Sequence, residues 1–149
     1  MGAWIMLMLT KRIPQKIAAI VGLAPAPDFP KLLIWDKMTR NEKRKLVKNR
    51  KTSIKYEDGS KNDFSYKLIK DSFKNLTLSK SIPFNGPVYL YHGMADDAVP
   101  YDLSIKIIKT FQGAKDIKLL LDKDAGHRLS EVDQLKNITN IIEEIKTKI

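Results

Sequence analysis

The chain has 149 residues, of which 43% are hydrophobic and 30% charged, a balance that excludes a largely disordered protein and suits one domain or part of one. Lys+Arg 27 against Asp+Glu 17 leaves a net charge of +10, and Cys 0 excludes a disulfide framework and any cysteine-ligated metal site. The lack of cysteine fits a reducing compartment, so a cytoplasmic location is expected.

Met1 to Leu9 is apolar, but no basic residue precedes it and no small-residue cleavage site follows, so it does not read as a signal peptide. It is also far shorter than the roughly 20 residues a spanning helix needs. Met6 stands where a myristoylation signal requires Ser or Thr. The stretch reads instead as a helix from Gly2 to about Arg12, apolar around its circumference and therefore expected to be covered on every side. No cap or turn precedes it, which raises the expectation that something upstream is missing. Pro14 ends it, and Lys16 to Leu23 follows as the continuous apolar run of a central parallel strand, stopped by the prolines of Ala24 to Pro30.

From Lys31 to about Leu78 the composition turns charged, with helical stretches expected near Lys31–Val47 and Tyr66–Leu76 and a turn at Tyr56–Ser60. This reads as a polar insertion, residues 31–78, within a single domain of residues 1–149. It looks too thin in apolar residues to hold its own core.

The core resumes at Pro87. Val88-Tyr-Leu-Tyr-His-Gly93 reads as a buried strand. A helix follows Pro100, with Leu103, Ile107 and Phe111 in step and Gly113 as its C′ residue. Asp116–Leu121 is the next strand. Ser130-Glu-Val-Asp133 has the form of a capping box, opening a last helix striped by Leu135, Ile138, Ile142, Ile145 and Ile149. Strands alternating with crossover helices predict an α/β fold with about three parallel strands.

Parallel strands place their C-terminal loops on one edge, where ligands bind in open α/β sheets. One such loop carries Asp96 and Asp97; the next carries His127. A carboxylate beside an imidazole fixes its tautomer and stabilises its protonated form. Asp97 is expected to face solvent or cap the following helix, and it is the alternative acid. His92 is expected to stabilise its loop, and Asp28 to hold a turn at the end of the preceding strand. The basic run Arg40, Lys43, Arg44, Lys45, Lys48, Arg50, Lys51 reads by default as a solvated face, with polyanion binding as the alternative.

His92-Gly-Met-Ala-Asp96-Asp-Ala-Val-Pro100 and Gly126-His-Arg-Leu-Ser130 resemble the acid and histidine loops of α/β-hydrolases, in the order acid before histidine. Met1-Gly2-Ala-Trp4 resembles the residues after the serine of a Gly-x-Ser-x-Gly elbow, and Ala24-Pro-Ala-Pro-Asp-Phe29 matches another stretch of the same family. The nearest likeness is to the small serine esterases and thioesterases of the mitochondrial palmitoyl-protein thioesterase and acyl-glucuronide esterase group. The resemblance covers nearly the whole chain but only the second half of the family's fold.

That resemblance implies a partial α/β-hydrolase fold with a small helical cap insertion, and hydrolysis of a carboxylic ester or thioester through an acyl-enzyme. It makes Asp96 the acid, His127 the base and Met1 the residue whose N–H completes the oxyanion hole, with Trp35, Met38 and Phe73 lining an acyl pocket. Three departures stand out: Ala3 replaces a common glycine, Tyr101 a tryptophan and Gly126 an aspartate. No Gly-x-Ser-x-Gly occurs; Gly59-Ser60 lacks both flanking glycines. The chain is accordingly expected to be a truncated fragment, inactive alone, and either a remnant, a polyanion-binding module using its basic segment, or one half of a complemented enzyme. The expected partner is a small-molecule acyl ester or thioester. Self-association, or pairing with a missing N-terminal half, is expected through the open edge of the Ile17–Leu23 strand. No cofactor, metal, nucleic acid or membrane span is expected.

Overall fold

Every residue of Val88–Gly93 is buried, and this strand, β5, is the middle of a three-stranded sheet. The computed structural model describes all residues except Glu57 and Asp58. The chain divides into two compact units, Met1–Pro27 with Thr77–Ile149, and Asp28–Leu76.

In the first unit, β1 (Ile20–Leu23), β5 and β7 (Ile117–Asp122) are parallel in the order β1-β5-β7. The register pairs Leu23 with Tyr91, His92 with Leu121 and Gly93 with Asp122. A strand reads as continuously apolar when both faces are covered; α4 (Asp102–Thr110) and α5 (Val132–Lys146) both contact β5. The expected α/β architecture with three parallel strands is the one observed. β1 pairs only with β5 among the described strands, which leaves its other edge unpaired.

Several local expectations are corrected. Helix α1 (Gly2–Arg12) forms as predicted, but only Trp4, Leu7 and Thr10 are buried, while Ile5 and Leu9 are 47% and 43% exposed. It packs through one stripe, and no described element covers the Ile5–Leu9 side. Helix α4 stops at Thr110 because Phe111 turns extended and enters β6 (Phe111–Gln112), a short parallel pair with β4 (Ile82–Pro83) that hydropathy did not reveal. The box opening α5 is built by Glu131 and Gln134, one residue later than Ser130 and Asp133. The packed face of α5 is Ile138, Ile141 and Ile145, while Leu135, Ile142 and Ile149 are exposed.

The second unit has a core of its own, contrary to the reading of residues 31–78 as too poor in apolar residues. Ile34, Leu46 and Ile69 are buried, with Phe29, Trp35, Met38, Ile54, Phe64 and Tyr66 packed against them. A π turn (Pro30–Ile34) and a 3₁₀ turn (Trp35–Lys37) precede α2 (Arg40–Asn49). A complete capping box starts α2: the Thr39 side chain accepts from the Glu42 N–H, and Glu42 accepts from the Thr39 N–H at 2.7 Å. An antiparallel hairpin, β2 (Lys51–Lys55) and β3 (Lys61–Ser65), follows where no strand was predicted, and α3 (Tyr66–Ser72) closes the unit. The turn expected at Tyr56–Ser60 lies partly outside the described residues.

Candidate active site

Because β5 and β7 run parallel, the loops after Gly93 and Asp122 leave the same end of the sheet. Each is anchored by its own apolar residues. In the first, Val99 is buried. In the second, Ala125 and Leu129 are buried against Tyr91 and Ala24, flanking His127 on either side, so His127 is held at its base while its side chain projects outward. Leu129 takes φ 48°, a left-handed conformation unfavourable for a side chain with a Cβ; burial in this cluster holds it there. The two loops are tied by Ala95 N–H donating to the Ala125 carbonyl at 3.1 Å and Met94 N–H donating to the Asp122 carbonyl at 2.7 Å.

Asp96 Oδ2 accepts a hydrogen bond from His127 Nδ1 at 2.8 Å. The other oxygen, Oδ1, accepts from the backbone N–H of Ala98 at 2.9 Å and of Val99 at 2.8 Å. The Asp96 side chain is fully enclosed, whereas that of His127 is 44% exposed. Burial pushes the Asp96 pKa upward, but hydrogen bonds from His127, His92 and Val99 N–H outweigh it and hold the carboxyl well below its ordinary value. The hydrogen bond to Asp96 raises the His127 pKa, with burial opposing; the charges of Asp96 and Asp97 add to the rise, and the N-terminal ammonium of Met1 opposes it.

His92 is expected from the sequence to stabilise its loop, and its contacts do so. Its imidazole is wholly buried, with Nε2 2.9 Å from the Val99 carbonyl and 3.1 Å from Asp96 Oδ2, and Nδ1 2.7 Å from Ser104 Oγ. The Val99 carbonyl accepts only, so Nε2 carries a proton and donates, while Nδ1 meets the Ser104 hydroxyl. His92 thus bears on the same Asp96 Oδ2 that accepts from His127. The Ser104→Ala variant leaves Nδ1 unsatisfied in a buried site, and urea unfolding is expected to show a loss of about 2 kcal/mol. Unchanged stability would show that the hydroxyl does not hold His92.

The structure thus joins Asp96, His127 and His92, and leaves Asp97 exposed. Met1 is exposed, and its carbonyl accepts from the N–H of Trp4 at 3.0 Å. Asp28 is buried at φ 55°, its carbonyl accepting from the N–H groups of Lys31 and Leu32 at 3.0 Å each, which is the turn expected of it. Trp35, Met38 and Phe73 belong to the second unit: Trp35 and Phe73 meet edge to face at 5.7 Å, and Met38 packs on Ile34, Leu46 and Ile69. A groove of about 440 Å³ lies along β7 and α5, and neither Asp96 nor His127 lines it. The Tyr89 hydroxyl there donates to Asp116, and burial together with the Asp116 and Glu144 carboxylates pushes its pKa up to about 12. That groove is a satisfied structural network. Among the described residues no cluster of His, Asp and Glu is arranged to hold a metal ion.

The geometry has close counterparts. The chain is 28% identical over 152 residues to the mitochondrial palmitoyl-protein thioesterase ABHD10 of Homo sapiens, covering 100% of this chain and 49% of that protein. The Mus musculus protein of the same name is 26% identical over 150 residues, with 50% of it covered. The chain spans about half the length of the curated relatives it matches. Among solved structures, a protein from Agrobacterium vitis S4 described as a hydrolase superposes with a TM-score of 0.88 at 30% identity, over 97% of this chain and 58% of that one. Mouse alpha/beta hydrolase domain-containing protein 10 superposes with a TM-score of 0.87 at 23% identity, over 98% and 58%. The family model described as the prolyl oligopeptidase family matches residues 2–144. With that match over nearly its whole length, and the fold of its hydrolase neighbours, the chain belongs to the prolyl oligopeptidase family of α/β-hydrolases.

Proposed function

We propose that this chain carries the acid and base of a serine-type hydrolase acting on a carboxylic ester or thioester. The observation that supports it most is the 2.8 Å bond from His127 Nδ1 to the enclosed Asp96, which leaves His127 Nε2 as the free nitrogen on a partly exposed ring. Asp96 holds the proton on Nδ1, so the Nε2 lone pair faces outward as a base. Nε2 takes the proton of an attacking serine hydroxyl while its oxygen bonds to the acyl carbon. The resulting imidazolium returns that proton to the departing alkoxide or thiolate, leaving an acyl-enzyme. Water attack assisted by the same nitrogen then releases the acid and regenerates the serine. The thioester alternative rests on the thioesterases to which the chain is similar.

Met1 is proposed at the oxyanion position on the family resemblance; the influence of its ammonium on the His127 pKa is consistent with that position. These 149 residues contain no Gly-x-Ser-x-Gly. For them alone we propose little turnover, since removing a triad nucleophile costs on the order of 10⁶ in rate. The unpaired edge of β1 supports a further proposal, that a second copy or another segment pairs there.

With a short-chain aryl ester, the 149-residue chain should show slow hydrolysis that falls to buffer level in His127→Ala, and no stoichiometric label from a fluorophosphonate. Residual hydrolysis unchanged by His127→Ala would remove the acid–base assignment. Rapid turnover with full labelling would instead remove the proposal that these residues lack their nucleophile.

A further inference from the structure

We propose that the exposed basic ridge of helix α2 forms a docking surface for an anionic phospholipid bilayer. The surface lies wholly within the Asp28–Leu76 unit and does not depend on the acid–base assignment. Lys31, Lys67, Lys118, Lys146 and Lys148 pair with Asp36, Asp71, Glu144, Glu143 and Asp116. Helix α2 is different. Its only carboxylate, Glu42, is engaged by Thr39 in the capping box.

Two of the α2 cations lean inward onto rings: Lys43 lies 5.0 Å from the Trp35 centroid and the C-cap Arg50 5.0 Å from that of Tyr66. Of the four others, Lys45 lies to one side, and Arg40, Arg44 and Lys48 stand at i, i+4 and i+8, one exposed ridge on the face opposite buried Leu46. No ion pair or side-chain hydrogen bond engages them among the described residues. Like charges at this spacing destabilise a helix. The ridge therefore carries a repulsion that no ion pair among the described residues offsets and that an external anionic surface would relieve.

Two observations favour a bilayer over nucleic acid. Val47 is 43% exposed among these cations, an aliphatic side chain placed where the helix would meet a headgroup layer. Trp35 and Tyr66, rings that base stacking could use, already have Lys43 and Arg50 over a face. No helix among the described residues is long and apolar enough to cross a membrane, so the contact is peripheral.

Co-sedimentation of the 149-residue chain with vesicles tests this. Binding is expected to phosphatidylcholine vesicles containing phosphatidylserine, to vanish at high salt, and to be absent from phosphatidylcholine alone. The triple variant Arg40→Gln, Arg44→Gln, Lys48→Gln should lower it on the order of 100-fold, and Arg44→Gln alone by roughly five-fold. Lys106→Gln, Lys109→Gln, Lys115→Gln, which removes the same charge from exposed sites in the other unit, should lower it far less. Val47→Asn should weaken vesicle binding and leave any binding to mixed-sequence duplex DNA unchanged. Equal losses in the two triple variants, equal binding to neutral vesicles, no binding at low salt, or tighter binding to the duplex than to the vesicles would each overturn the proposal.

Discussion

Asp96→Asn is expected to reverse the direction of the His127 pKa shift, from above the ordinary 6.5 to below it, and to invert the imidazole tautomer. In the native chain the hydrogen bond and charge of Asp96, helped by the charge of Asp97, outweigh burial and the N-terminal ammonium. Asparagine removes the Asp96 charge and turns an N–H toward Nδ1, so only the charge of Asp97 still raises the value, and burial, the larger influence, outweighs it together with the ammonium. Imidazole ¹⁵N shifts followed through a pH titration would read both changes, and the chain holds only His 2, so assignment is direct. A raised pKa that persists in the variant would show that Asp96 is not its source. In any form of the protein that carries a serine nucleophile, the wrong tautomer should lower turnover on the order of 10⁴.

The same pair sets a pH window for stability. His127, with its pKa raised on folding, contributes stability that is complete below 6.5 and lost as pH rises through its folded value. Asp96, with its pKa lowered, contributes stability present above 3.8 and lost as pH falls toward its folded value. Between those limits both contributions are present. In Asp96→Asn the carboxyl contribution disappears and the imidazole contribution changes sign, so the variant should weaken as pH falls through 6.5 while the native chain does not.

Gly93→Ala should be the most damaging single methyl group in the sheet. A Cβ there would lie 2.0 Å from the Ala125 carbonyl oxygen, 2.5 Å from its carbon and 2.9 Å from the Gly126 oxygen, all of them backbone. Backbone pinned by buried Ala125 and Leu129 cannot yield as a side-chain tip can. Relief would require separating the loops after β5 and β7, breaking the Ala95–Ala125 hydrogen bond and drawing His127 from Asp96. A loss of about 3 kcal/mol in urea unfolding is expected, with the native His127 pKa shift lost as well. Gly22→Ala is the control: its Cβ would approach Leu90 Cδ2 at 2.7 Å, the end of a flexible side chain, and should cost about 1 kcal/mol. Equal effects at the two glycines would show that the close approach at Gly93 is not special.

Much of this site could be read from local sequence because its parts follow local rules. Val88–Gly93 is apolar on both faces because a central parallel strand is covered on both, and His127 follows the next strand, so a shared edge was legible from chain order alone. The hairpin Lys51–Lys55 and Lys61–Ser65 was not legible, because it buries only part of one face: Ile54 and Phe64 pack inward among lysines, serines and an asparagine, too thin an alternation to detect. For the same reason the core around Ile34, Leu46 and Ile69 was not legible, since its apolar residues are spread among the many charged ones of Asp28–Leu76 and collect only on folding.

The sequence by itself determined the parallel α/β order and the presence of a carboxylate loop followed by a histidine loop, since strand periodicity and strand-end placement depend on neighbours in the chain. It also determined the basic character of α2. Only the tertiary structure decided that Asp96 rather than Asp97 turns onto His127, that His92 and Ser104 clamp the same carboxylate, and that Gly93 is where the two loops meet. Those outcomes depend on the register of β5 against β7 and on which lone pair each donor reaches, and both are set by packing between residues roughly thirty positions apart. The sidedness of α1 belongs with them: an apolar pattern says what a helix can bury, and the elements folded against it decide what it does bury.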